Sequence, residues 1–98
     1  MASGLRRMDF ADGEELMRQG DRPDGAYFVL DGRLAVVIRL PGGGETLIAE
    51  PGPGAMLGEL ALIRSGRRGA TVRAAGAVRT LFLDRRYFQA ALAQLRPA

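Results

Sequence analysis

The sequence predicts a mainly β domain, a sandwich or roll of short strands followed by one C-terminal helix. Three observations carry this. Short apolar runs recur along the chain between clusters of Gly, Pro and Asp, the spacing of an all-β sandwich or roll. Across residues 34–40 the pattern alternates with period two: Leu34, Val36, Ile38 and Leu40 share one face, and Ala35, Val37 and Arg39 the other. After Asp84 the period changes, and Phe88, Ala91, Leu92 and Leu95 recur at i, i+3, i+4 and i+7, one face of an amphipathic helix.

The elements follow in order. A strand over 8–10 ends at the Asp12-Gly13 turn, and a short strand over 15–18 follows. Residues 20–25, Gly-Asp-Arg-Pro-Asp-Gly, form a loop of turn residues. The apolar run 26–30 is a strand, and Asp31-Gly32 is the strongest local hairpin signal in the chain, so 34–40 is expected as the returning strand. Residues 41–44 turn, 46–50 is the next strand, and Pro51-Gly52-Pro53-Gly54 stops it. A compact segment over 58–65 leads to strands over 70–75 and 78–83, with a turn at Gly76. The helix over 85–95 takes Asp84 as its N-cap. Arg85 and Arg86 fall in its first turn, where the helix dipole disfavours cations, and are expected to face solvent or a partner. Tyr27, Phe28, Phe82 and Phe88 are expected in the core, and Arg6 and Arg7 as a solvated pair. No repeat or second domain is evident, so residues 1–98 read as one domain.

Composition bounds the function. The chain has 98 residues, 47% hydrophobic and 26% charged, ordinary for a globular domain with a single core. It lacks an apolar segment long enough to span a bilayer and a secretory h-region, so a cytoplasmic location without membrane contact is expected. With neither His nor Cys, the commonest general base, the most reactive nucleophile and the usual transition-metal ligands are missing. The chain is expected not to be an enzyme and to hold no metal. The net charge is +3, and every basic residue is Arg. Arg presents a planar fork suited to phosphate, but these residues are scattered along the sequence, which argues against direct nucleic-acid binding.

The informative stretch runs from Gly58 to Val72. Gly58 lets the backbone turn tightly, and Glu59 to Ile63 can form one helical turn whose free N–H groups suit an anion. Arg68 can return to the same corner and give two parallel hydrogen bonds to a phosphate. Glu59 is an acceptor beside this anion site, which suits a ligand with a hydroxyl next to its phosphate, as in a ribose. The alternative for Glu59 and Arg68 is a structural ion pair in a turn.

Gly58-Glu59-Leu60-Ala61-Leu62, the step to Arg68, and Ala70-Thr71-Val72 resemble the phosphate-binding cassette of cyclic nucleotide-binding domains. Gly20-Asp21, the segment from Tyr27 to Leu34, and Pro53-Gly54 agree with that family, and the resemblance covers about residues 10–92. It implies a double-stranded antiparallel β-roll, jelly-roll-like, with a short cassette helix and a C-terminal α-helix. It further implies that Glu59 accepts from the ribose 2′-hydroxyl and Arg68 pairs with the cyclic phosphate. Backbone N–H groups of Ala61 and Gly69 complete the phosphate cradle, beside Gly58 and Leu60. Val36 and Ile38 match positions that pack against the base, with plain core packing as the alternative. Gly58 supplies conformation only.

The chain departs from the family pattern at several positions. Arg67 stands where Pro is usual, and is expected either in solvent or as a second cation near the phosphate. Gly69 stands where Ala, Ser or Thr is usual; without a hydroxyl there the choice tilts toward cAMP over cGMP. Leu57 replaces a common aromatic. The sequence stops about where the family's lid helix would start, so the domain is expected to lack that lid. The implied function is a cyclic-nucleotide sensor acting on an output domain or partner protein. A protein-interaction module of the same fold with little nucleotide affinity is one alternative, and the ligand-binding fragment of a transcription regulator is another.

Overall fold

The computed structural model describes residues 4–64 and 66–95. Among them the chain forms strands β1 (Leu5–Phe10), β2 (Glu15–Met17), β3 (Gly25–Arg39), β4 (Glu45–Ala49) and β5 (Met56–Leu57), then helix α1 (Glu59–Arg64), strand β6 (Thr71–Asp84) and helix α2 (Arg85–Leu95). Two long strands, β3 and β6, make the spine. They pair antiparallel from Val37↔Thr71 to Gly25↔Asp84, and β1 and β4 flank them in the order β1-β6-β3-β4. The short strand β2 adds to β6, and β5 to β3.

The expected hairpin at Asp31-Gly32 is not formed. β3 runs straight through it, and the pair marks a bulge. Between Val29↔Thr80 and Asp31↔Arg79 the β3 side carries one extra residue, Leu30. A single extra residue inverts the alternation: Tyr27 and Val29 point into the core before it, Leu34 and Val36 after it. Gly32 is required by close approach, not by a turn: its φ is 93°, and a Cβ there would strike the Ala77 carbonyl and lie 3.0 Å from Val78 Cα. Asp31 accepts from the Gly32 N–H at 3.0 Å and from Arg79 Nη2 at 3.2 Å. The local signal for a tight turn is real, but tertiary pairing uses it to bend a continuous strand.

The turn expected at Gly76 is likewise a bulge within β6. Here the β6 side carries two extra residues between Arg33↔Ala75 and Asp31↔Arg79, so the phase is kept. Val72, Ala74, Val78 and Phe82 all reach the same core. The Gly76 N–H donates to Asp12 Oδ1 at 2.7 Å, which ties the bulge to the β1–β2 turn.

Because side chains from both halves of β3 and β6 meet in one cluster with Leu16, the sheet closes on itself as an antiparallel β-roll. Tyr27 stands at its centre, its ring 5.0 Å from Phe82 and 6.0 Å from Phe10, and its hydroxyl donates to the Leu16 carbonyl at 3.0 Å. Phe28, expected in the core, is only half-buried, and Leu40 is exposed beyond the end of β3. Arg6 and Arg7 are exposed as expected, although Arg6 lies over the Phe82 ring at 5.2 Å and Arg7 pairs with Asp9 at 2.9 Å. A second, smaller core joins Ala26 of β3, Leu62 of α1 and Phe88 of α2, so both helices lean on one end of the roll. The Tyr87 N–H donates to Asp84 Oδ1 at 2.8 Å, the N-cap bond that the sequence predicts.

Candidate functional site

A cleft of about 390 Å³ opens between β3, β4, the β5–α1 corner and the start of β6. Its walls bring together all eight residues singled out in the sequence: Gly58, Glu59, Leu60, Ala61, Arg68 and Gly69 on one side, Val36 and Ile38 on the other. Met17, Ile48, Met56, Leu57, Ala70 and Val72 complete the lining. Among these described residues, only Glu59 and Arg68 have polar side chains. The cleft is therefore an apolar slot with one carboxylate and one guanidinium at the cassette end.

Arg68 is buried, with 4% of its surface accessible. Burial of a guanidinium demands paired N–H groups, and three of them are paired. Nη1 donates to the Gly58 carbonyl at 3.0 Å, and Nη2 donates to the Gly25 carbonyl at 2.7 Å and to Asp24 Oδ1 at 3.1 Å. An arginine has five N–H groups, and the two left are the Nε–H and one on Nη1. With both Nη2 hydrogens spent they do not lie side by side, so the two parallel bonds to a phosphate expected from the sequence are not offered in this arrangement. The backbone is clamped as firmly: Arg68 N–H donates to the Asp21 carbonyl at 2.9 Å, and Gly20 N–H to the Arg68 carbonyl at 2.8 Å.

Gly58 does more than supply a backbone conformation. Its φ is +85°, its carbonyl accepts from Arg68, and a Cβ would collide with Arg68 Nη1 and lie 3.1 Å from Met17 Cε. The guanidinium can occupy its place only because residue 58 has no side chain. Gly69 is different: it is exposed, and a Cβ there meets nothing within 4 Å.

Glu59 is the first residue of α1 and half-buried. Its carboxylate makes no hydrogen bond or ion pair with any described residue, so the ion pair with Arg68 considered from sequence does not form; Arg68 pairs with Asp24 instead. Leu60 is exposed at the cleft mouth, and Ala61 is half-buried. The first-turn N–H groups of a helix have no intrahelical acceptor, and α1 presents that turn to the cleft through Glu59, Leu60 and Ala61. Val36 belongs both to the core cluster and to the cleft wall, so the two readings of this residue coincide. Ile38 is half-buried at the same wall. Arg67 lies outside this cleft, exposed, with Nη1 3.4 Å from the Gly20 carbonyl.

Asp24 went unnoticed in the sequence because nothing separates it from the turn residues around it. Its electrostatics reach further than Arg68. The Tyr27 hydroxyl is pushed above its ordinary value of 10.0, chiefly by burial and then by the Asp24 charge, with Arg68 and Arg6 pulling the other way.

The family model that matches this chain is the cyclic nucleotide-binding domain, over residues 7–95. The chain is 35% identical over 91 residues to the cAMP-dependent protein kinase regulatory subunit of Dictyostelium discoideum, an overlap of 90% of this chain and 28% of that protein. It is 40% identical over 81 residues to patatin-like phospholipase domain-containing protein 6 of Homo sapiens, covering 76% of this chain and 6% of that one. The regulatory domain of Toxoplasma gondii PKA, solved with cAMP, superposes with a TM-score of 0.87 at 32% identity, covering 93% of this chain and 35% of that chain. The chain thus spans about a quarter, or much less, of the curated relatives it matches.

Proposed function

Because the chain belongs to the cyclic nucleotide-binding domain family, we propose that the cleft binds cAMP and that occupancy is read by an output domain or a partner protein. The observation that carries this is the distribution of polarity. One acceptor and one cation stand together at the cassette end of an otherwise apolar slot. A ribose hydroxyl beside a cyclic phosphate matches that pair in sign. Glu59 accepts the 2′-hydroxyl proton. One unspent N–H group of Arg68 takes the phosphate, together with the N–H groups of Ala61 and Gly69, and the buried guanidinium charge faces it from behind. The base lies against Val36 and Ile38, with Ile48 and Leu60 beside it.

The protein's contribution is grip and orientation. Its described residues hold no cluster of metal-ligating side chains, and neither polar group of the cleft is arranged with a base to activate a nucleophile. Relatives as different as a kinase regulatory subunit and a phospholipase-domain protein match over this segment. That fits a binding module whose consequence is decided by what it is joined to. Among the described residues no helix is long and apolar enough to cross a membrane. The likeness to protein kinase regulatory subunits supports a cytoplasmic location.

Among the described lining residues no polar side chain besides Glu59 and Arg68, both assigned to ribose and phosphate, is available to an adenine or guanine edge. The preference for cAMP over cGMP is therefore expected to be small, below about 1.4 kcal/mol or tenfold. The affinity is expected to be micromolar in order, about −8 kcal/mol. Calorimetric titration with each nucleotide tests both. A saturable one-to-one heat with cAMP supports the proposal; no saturable signal with either nucleotide overturns it in favour of an interaction module without ligand.

A further inference from the structure

We infer a second anion site, of diphosphate class, where Arg22 of the β2–β3 loop, Arg67 of the α1–β6 loop and Arg85 of α2 converge on one cleft. The cleft measures about 320 Å³, and its described lining is completed by Pro23 and Gly66. It shares no described lining residue with the nucleotide cleft.

Three features single this cluster out from ordinary surface arginines. First, the three arginines come from separate parts of the chain and line one cleft whose described lining holds no carboxylate. None of them forms an ion pair among the described residues, as is also true of Arg6, Arg33, Arg39, Arg64 and Arg86, but those are not gathered in that cleft. Like charges gathered without a carboxylate repel one another, and an anion relieves that repulsion. Second, Arg85 is the first residue of α2, where the helix dipole already disfavours a cation; an anion offsets this as well. Third, two of the three are held by backbone rather than left free. Arg85 Nη2 donates to the Pro23 carbonyl at 2.5 Å, its own N–H donates to the Asp24 carbonyl at 3.0 Å, and Arg67 Nη1 reaches the Gly20 carbonyl at 3.4 Å. Each keeps further N–H groups beyond these bonds, and a guanidinium's planar set of donors suits phosphate oxygens.

The same lining sets the ligand class. The described lining holds no aromatic side chain and no apolar wall beyond Pro23, so it offers a nucleobase no platform. The volume sits at the lower end of the roughly 300–1,000 Å³ of small-molecule clefts. Three cations in that space match the charge of a compact diphosphate better than that of a single phosphate.

The test is a titration of the ¹⁵N-labelled chain with inorganic pyrophosphate at physiological salt, following backbone amides and arginine Nε–H signals. Saturable shifts should centre on Arg22, Gly66, Arg67 and Arg85, and persist when cAMP is added to saturation. The double variant Arg22→Ala/Arg67→Ala removes two exposed side chains, so its spectrum should keep the parent dispersion while pyrophosphate binds at least tenfold more weakly. Orthophosphate should also bind at least tenfold more weakly to the parent. Shifts centred on Gly58 to Ala61 and Arg68 would overturn the assignment, as would unsaturable shifts spread over all exposed arginines. So would a double variant of parental affinity. Equal affinity for orthophosphate would overturn the diphosphate class.

Discussion

Two glycines of the nucleotide cleft, Gly58 and Gly69, offer a matched test of how Arg68 is held. In Gly58→Ala the left-handed backbone, φ +85°, costs about 1–2 kcal/mol for an L-residue. The new Cβ also meets Arg68 Nη1, Arg68 Cζ at 3.2 Å and Met17 Cε at 3.1 Å. The Met17 methyl can swing away cheaply. The guanidinium cannot, because Gly25 and Asp24 fix its other edge; moving it forfeits the 3.0 Å bond to the Gly58 carbonyl, worth about 1.5–3 kcal/mol for a charged donor. Allowing for partial relaxation, Gly58→Ala should lose about 2–4 kcal/mol of stability. It should also weaken cAMP binding through the proposed phosphate contact, since the guanidinium moves. Gly69→Ala adds the same methyl where no atom lies within 4 Å, and should stay within about 0.5 kcal/mol of the parent. Urea denaturation with matched m-values measures the first effect, and calorimetric titration the second. Equal stability and equal affinity in the two variants would refute the idea that residue 58 sets the position of Arg68.

Arg68→Ala should lose roughly 2–5 kcal/mol of nucleotide affinity and also stability, because the Gly25 and Gly58 carbonyls lose their donor; Arg68→Lys should recover only part, a point charge replacing a fork. Parental affinity in Arg68→Ala, read by titration, would remove the phosphate role. Glu59→Gln should weaken cAMP by about 1.5–3 kcal/mol, and a 2′-deoxy cyclic nucleotide should be penalised by the parent much more than by the variant; equal penalties would sink the ribose role. Tyr27 makes stability depend on alkaline pH. Its folded value is raised above 10.0, so its contribution is full below about pH 10 and is lost as pH rises through the folded value. Tyr27→Phe should be flatter over that window, yet weaker at neutral pH by about 0.5–1.5 kcal/mol for the missing bond to Leu16. Identical slopes in urea melts at alkaline pH would show that burial of this hydroxyl is not felt.

Much of the domain could be read from one-dimensional signals, and the misses share a cause. The helix α2 begins where its N-cap aspartate and its change of period place it, because both are local. The cassette residues gather in one cleft because their spacing is itself local, confined to one corner and its helix. Asp31-Gly32 and Gly76 misled because a positive φ is required equally by a tight turn and by a bulge. What decides between them is the partner strand, and β6 lies far along the chain. The β3 alternation was legible from Leu34 onward, but its inversion at Leu30 was not. Asp24 and the convergence of Arg22, Arg67 and Arg85 were hidden for a related reason. Their meaning comes from neighbours that only the folded loop supplies, and in the sequence they look like scattered turn residues and scattered charge.

The spine has a kinetic meaning as well. Its innermost pair is Val37 with Thr71, so the intervening chain, residues 38–70, must be looped out before β3 and β6 can begin to zip together. Closing such a loop is an entropic toll levied ahead of any return, which places folding among the slower, non-local topologies. The cassette, β4 and β5 all lie inside that loop. β4 is exposed along its whole length, and what the cassette buries, Leu62 and Arg68, it buries mainly against β3, α2 and the loop before β3, so these elements can form only on a spine already joined. Once folded, the same order runs backwards: amide protons of α1 and β4 should exchange by local opening while those of β3 and β6 wait for global unfolding. The helix proposed to meet the ligand is thus among the parts of the molecule that open before the spine does.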